Sequence, residues 1–376
     1  LSALLSNPKS SLEELIMFSY GSEKLWPKSL PLLIEYINKS KTLKSITPQY
    51  WGLNLAEHIV LILDAINTNK NSVVEIVDLQ NKERNKSTDC VLSQEAIMKL
   101  IHTLYLKPIK VLDLSWLYLN DNDLALILAI LQTPSSKSFH SILELKIYVN
   151  NLGEESTKFL ARLIVFCKSL RKLDLTMTQL TDSGLAMILS AVNESKLPTI
   201  DSSIPTTYSK FITSDEAKGK TNVKEFEHIK KVSNITELSL QYNSIGDMSF
   251  PVLKQLFRHN SVIQKIEFYL SPTNKFYNQL AELINEWKAN PTTQICEFHA
   301  GYSSQNFFPD LGDKKSKEIF YTTFCEFMES NKTLTRVCFF PNLIECSRTP
   351  TDVTRKVLSQ EFVTSIYQRN QYMKTK

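Results

Sequence analysis

From Leu170 the apolar residues first fall at Leu170, Leu173 and Leu175, and then at Leu185, Ile188, Leu189 and Val192. The first spacing is that of a strand with one buried face; the second, i, i+3, i+4, i+7, is one stripe of a helix. Neither element can bury its apolar side alone, so a strand–helix pair of this kind predicts neighbours of the same kind. The strand pattern recurs with apolar or near-apolar residues at Leu12/Leu15/Met17, Leu43/Ile46/Pro48, Val74/Val77/Leu79, Ile109/Leu112/Leu114, Ile142/Leu145/Ile147, Ile235/Leu238/Leu240, Ile263/Ile266/Phe268, Thr293/Cys296/Phe298 and Leu334/Val337/Phe339. Counting the unit from Leu170, the first residues of these ten units are 31, 31, 35, 33, 28, 65, 28, 30 and 41 apart. A unit of about 30 residues therefore repeats, with one interval long enough to hold an insertion.

Between the strands the helical stripe returns as Leu30/Leu33/Ile34/Ile37, Ile59/Ile62/Leu63/Ile66, Ile97/Leu100/Ile101/Leu104, Leu124/Ile127/Leu128/Leu131, Leu160/Leu163/Ile164/Cys167, Leu280/Leu283/Ile284/Trp287 and Tyr321/Phe324/Cys325/Met328. The alternation predicts an α/β solenoid: parallel strands side by side along one face, helices along the other. Two stretches interrupt it, near 196–231 and 301–316, and both read as surface loops. The array is expected to span 1–345. Residues 346–376 are expected to form a helical cap and tail, because the open end of a stacked core must be covered.

The stretches "ILELKIYVNNLG" from 142, "LRKLDLTMTQLTDSG" from 170 and "ITELSLQYNSIGD" from 235 resemble the pattern L-x-x-L-x-L-x-x-N-x-L-x-x-x-G of the leucine-rich repeats, most closely the ribonuclease-inhibitor-like subtype. The resemblance implies a right-handed horseshoe with its parallel sheet on the concave face. It also implies that Asn150 and Asn243 satisfy backbone groups in the turn after each strand, a position that Thr178 takes in the unit from 170. By the same resemblance the chain is a noncatalytic scaffold that recognises another protein through the concave face. The bias toward Asn, Lys, Ser and Ile, with degenerate repeats, suits an effector that a bacterium delivers into host cytosol, or a protist protein. A regulator of a small GTPase, or the targeting module of a larger enzyme, is the alternative.

Charge and composition narrow this reading without replacing it. The balance of 43 Lys+Arg against 39 Asp+Glu gives +4, too small over 376 residues to point to nucleic acid or a membrane surface. No apolar run reaches the roughly 18–20 residues of a membrane span. The six cysteines are scattered without a C-x-x-C and read as free thiols in a reducing, cytoplasmic setting, and the six histidines show no paired metal-ligand spacing. The chain is expected to be monomeric and to need no cofactor or metal.

Candidate binding residues follow from the pleat. Four residues after each first position stand Asp78, Asp113, Lys146, Asp174, Glu267 and Glu297, with Glu144 and Glu237 in the neighbouring column. With strands about 4.8 Å apart, Asp113 and Asp174 flank Lys146 and Glu267 lies beside Glu297, an acidic strip suited to a basic segment of a partner protein. Further along each unit come Trp116, Tyr148, Tyr242 and Tyr269, aromatic anchors of the kind interfaces use. One constellation has a catalytic look: Glu297 and His299 lie on one strand and Cys338 in the next. At this stage Cys338 reads as a small strand residue, and no catalytic residue is assigned.

Overall fold

The computed structural model describes residues 11–18, 26–49, 55–80, 92–193, 233–270, 275–302, 314–331 and 333–340. Ten strands form one sheet in strictly sequential order: β1 (Glu14–Phe18), β2 (Ser45–Gln49), β3 (Ile76–Asp78), β4 (Val111–Asp113), β5 (Glu144–Lys146), β6 (Lys172–Asp174), β7 (Glu237–Ile245), β8 (Lys265–Leu270), β9 (Glu297–Tyr302) and β10 (Arg336–Phe340). Every neighbouring pair is parallel.

The helices that return the chain are α1 (Trp26–Lys39), α2 (Leu55–Thr68), α3 (Gln94–Leu106), α4 (Asp121–Leu131), the short α5 (Lys137–Ser141), α6 (Glu154–Phe166), α7 (Asp182–Val192), α8 (Ser249–His259), α9 (Phe276–Lys288) and α10 (Lys314–Ser330). They pack neighbour on neighbour along one side. The fold is thus the expected α/β solenoid, with the sheet on its concave face.

One residue per strand sets the register. Leu15, Ile46, Val77, Leu112, Leu145, Leu173, Leu238, Ile266, Phe298 and Val337 are partners from strand to strand, and all but Val337 are buried. Parallel sheets usually carry helices on both faces and read as unbroken apolar runs. Among the described residues only one face carries helices, so each strand alternates, and a slip of one residue would turn its apolar side to water.

That row corrects the ninth unit. Phe298, not Cys296, pairs with Ile266 and Val337, so the buried triple is Ile295/Phe298/Ala300 and the unit begins two residues later than the spacing suggested. Helix α8 lacks the full apolar stripe in sequence because Lys254 holds the third place of Phe250/Leu253/Lys254/Phe257. The lysine ends instead on the next helix, 2.8 Å from Glu282.

The asparagines act as the family pattern implies. Asn150 Oδ1 accepts the Leu119 N–H at 2.8 Å while its Nδ2 donates to the carbonyls of Leu114 and Ile147, each at 2.9 Å. Asn243 likewise reaches back a repeat, donating to the Leu175 carbonyl at 2.6 Å and accepting from the Leu180 N–H at 3.1 Å. In between, the Thr178 hydroxyl is long enough only for the Leu175 carbonyl, 2.7 Å away, and the side chain of Asn243.

A second set of links comes from the first residue of two helices. Asp121 accepts hydrogen bonds from the backbone of Gly153, Glu155 and Ser156, and Asp182 from that of Gly246, Met248 and Ser249. A third lies at the joints from helix to strand, where Asn69 Nδ2 donates to the carbonyls of Ile37 and Ser40, and Asn290 Nδ2 to those of Phe257 and Asn260.

The 65-residue interval leaves the sheet unbroken, since β6 pairs directly with β7. The expected insertion at 196–231 and the cap at 346–376 lie outside the described residues, as does most of the insertion at 301–316.

Candidate functional site

Because the apolar row fixes the pleat, the residues on either side of it must stand on the open face of the sheet. The row before it reads Glu144, Lys172, Glu237, Lys265, Glu297, Arg336 across β5 to β10, alternating in sign at every strand. Lys172 Nζ lies 2.8 Å from Glu237, and that hydrogen bond holds the lysine pKa above its ordinary value.

In the row after the apolar one, Asp78 pairs with Asp113, Asp113 with Lys146, Lys146 with Asp174, Asp174 with Ser239, Ser239 with Glu267, and Glu267 with His299. Glu267 therefore does not lie beside Glu297, as the spacing suggested. Glu297 belongs to the alternating row, between Lys265 and Arg336, because the register of β9 follows Phe298.

The acidic strip is accordingly a mixed ladder with local jobs. Asp78, Asp113 and Asp174 each accept the backbone N–H two residues on, at Gln80, Ser115 and Thr176, shaping the turn after the strand. Lys146 stands among them, 2.9 Å from Glu144 and 3.8 Å from Asp113. Burial opposes the charge of Lys146, but the Glu144 bond and the charges of Asp113, Glu144 and Asp78 outweigh it and raise its pKa. Burial pushes the carboxyl of Asp174 above its ordinary value, and burial together with the Asp113 charge does the same for Asp78. Glu267 goes the other way. Although burial resists ionisation, bonds from His299 at 2.8 Å, Ser239 at 2.9 Å and Lys265 at 3.1 Å bring its pKa down to about 2.

The strand-end loops carry the aromatic groups. Trp116 and Tyr148 meet edge to face with ring centroids 5.1 Å apart, and both are half-buried. Tyr242 is 47% exposed and leans on Tyr269, 4.7 Å between centroids, which is itself only 4% exposed. Tyr269 is thus a support and not an anchor, since β8 stays in the sheet through Leu270 and carries the ring under its neighbour.

Sequence reasoning missed the residues beside these. Tyr118, Val149, Asn150, Asn151, Met177, Gln179 and Tyr242 line one groove of about 240 Å³, with Tyr118 52% exposed. Trp116, Tyr118, Val149, Met177, Gln179 and Tyr242 all have positive φ, between 52° and 63°. This left-handed backbone is unusual for non-glycine residues and turns the chain sharply at the end of each strand. The signal was present in the sequence: between Leu117 and Leu119, both fully buried, a tyrosine has nowhere to go but out.

A family model described as Leucine Rich repeat matches residues 166–189, from the end of α6 through β6 into α7. Over that one unit the α/β solenoid is similar to the leucine-rich repeats. The comparison with curated proteins gave no match. The matched leucine-rich repeat is the unit in which Thr178 stands for asparagine, so its leucine framework carries the match. Among the described residues of this solenoid no group of three or more His, Cys, Asp or Glu could hold a metal ion, and no helix is long and apolar enough to cross a membrane.

Proposed function

We propose that this solenoid is a noncatalytic scaffold that recognises a partner protein across the open face of its sheet. The observation that carries this reading is the groove at the strand ends, where exposed Tyr118 and Tyr242 rise over Val149, Met177 and Gln179 beside a ladder of charge. Leucine-rich repeats in general mediate protein–protein interaction, which supports the same conclusion by analogy of fold. Tyrosines at such a site bury a large area with few rotamers to freeze.

The ladder adds selectivity. Across β3 to β6 the four acids Asp78, Asp113, Glu144 and Asp174 stand against the two bases Lys146 and Lys172. A partner segment lying over β3 to β6 is therefore favoured when basic.

The test is capture of a partner from cell lysate by the chain, beside a Tyr118→Ala/Tyr242→Ala variant and a Trp116→Ala/Tyr148→Ala variant. A partner held by the wild type and lost by the first variant, at unchanged melting temperature, supports the groove. A partner retained by both variants overturns it.

A further inference from the structure

All ten strands run parallel, so every joint from helix to strand lies on one edge of the sheet and every turn from strand to helix on the other. The two edges differ in charge. The joints into β2 to β6, residues 40–44, 69–75, 107–110, 132–143 and 167–171, hold seven lysines and Arg171 against one acid, Glu75. The turns after β4, β5 and β6, residues 114–120, 147–153 and 175–181, hold no charged residue, and the helices they enter open with Asp121, Asp123, Glu154, Glu155 and Asp182. The net charge of +4 hides this polarity, since the two signs lie on opposite edges of the same repeats.

Helix ends do not account for the basic edge. A helix C-terminus favours a nearby cation, yet the joints after α8 and α9, residues 260–264 and 289–296, follow helices of similar length and hold no charged residue. Lys137 opens the short α5, the end of a helix that disfavours a cation. Lys107 is 7% exposed, and its Nζ donates to the Asn69 carbonyl at 2.7 Å. Lysine is rarely buried without an anion. Burial and the charge of Lys137 both lower the Lys107 pKa, so like charges are held together on this edge.

Two of the cations are engaged within the chain, Lys44 with Glu13 at 2.9 Å and Lys110 with Glu75 at 2.8 Å. Among the described residues no carboxylate lies in ion-pair reach of Lys41, Lys70, Lys137, Lys168 or Arg171, and the four lysines are exposed. Apolar groups stand between them. Leu143 is 41% exposed, and its N–H donates to the Lys110 carbonyl at 2.7 Å while its carbonyl accepts the Arg171 N–H at 2.8 Å, which puts a cation on either side of it. Val73, three residues after Lys70, is equally exposed.

We propose that this edge, centred on Leu143 with Lys137, Lys168 and Arg171, binds an acidic protein segment in which carboxylates alternate with apolar side chains. Charge complementarity sets the sign of the partner. The two aliphatic side chains set its class. A phosphate backbone has nothing to offer Leu143 and Val73, and among the described residues this edge has no exposed Phe, Tyr or Trp on which bases could stack. A lipid surface is taken by an amphipathic helix with a broad apolar face, whereas here the apolar groups are single residues in short joints bonded to their neighbours. The edge lies across the sheet from the groove of Tyr118 and Tyr242, so the two surfaces bind independently.

The experiment titrates the full chain into a labelled peptide in which pairs of Glu alternate with single leucines and follows fluorescence anisotropy. The same peptide with serine for leucine, an oligothymidylate of matched charge and phosphatidylserine vesicles are measured beside it. The Glu–Leu peptide is expected to bind, more weakly as salt rises. Lys137→Glu/Lys168→Glu should weaken it about ten-fold or more, and Leu143→Ser several-fold with the salt dependence kept. Tyr118→Ala/Tyr242→Ala should leave it unchanged, which separates this edge from the groove. Circular dichroism and melting confirm that each variant folds. Failure of the Glu–Leu peptide to bind, its full retention by folded Lys137→Glu/Lys168→Glu, equal binding of the serine peptide, or tighter binding of the oligothymidylate or the vesicles overturns the proposal.

Discussion

Asn150 settles three backbone groups from two repeats with one amide, which no other side chain of its size could do. Asn150→Ala strands all three in a dry turn, and at about 1–3 kcal/mol for a buried unpaired group the variant should lose roughly 3 kcal/mol, read from its denaturation midpoint. Gly246 is held to a hydrogen by its neighbour: a Cβ there would lie 2.7 Å from Asp182 Oδ2. Gly246→Ala should therefore cost about 1–3 kcal/mol, and less in an Asp182→Ala background, so that a double-mutant cycle isolates the clash.

The carboxylates also give stability an acid signature. Glu267 has a folded pKa of about 2, below its unfolded value, so its contribution is whole above about pH 4.3 and is lost as the pH falls through the folded value. Asp174 is raised by burial, so protonation favours the fold, and stability is gained as the pH drops through that raised value toward about 3.9. Denaturation midpoints measured from neutral pH downward should show Glu267→Gln losing its deficit against the wild type at the acid end. Asp174→Asn should lack the mildly acid gain.

At the scale of elements, Phe257, Phe268, Trp287, Phe298 and Phe327 replace the leucines of the earlier repeats with a cluster of rings 4.6–6.1 Å apart. Phe298 touches three of them and is 1% exposed, so Phe298→Ala should cost about 3–5 kcal/mol. The strands and most helices were legible in the sequence because each had to bury one face, and burial leaves a period. Strand β9 was read two residues out because Cys296 and Phe298 are both acceptable apolar residues at that spacing. Only pairing with Ile266 chooses between them, and pairing is not a local property. The same limit hid the Glu267–His299 contact, which depends on that register, whereas Glu237, Glu144 and Lys146 were placed correctly on the open face by the pleat alone. Tyr269 was misjudged for a related reason, since its burial depends on Tyr242 in the neighbouring repeat.

Among the described residues the contacts between elements run mainly from each repeat to the next, so damage should stay local. Hydrogen exchange of Phe298→Ala is expected to lose amide protection over β8 to β10 while β3 to β5 keep theirs; uniform loss would mean that the array unfolds as one unit. The strand-end turns carry a different consequence. Val149, a β-branched residue, sits at φ 55°, and Trp116, Met177 and Tyr242 share its conformation at matching places in their repeats. Left-handed backbone costs such residues roughly 1–2 kcal/mol, far less for asparagine. Val149→Asn should thus raise the melting temperature while removing an apolar wall of the groove. Durability alone would not choose these four side chains for such turns: the fold carries a strain there that asparagine would relieve.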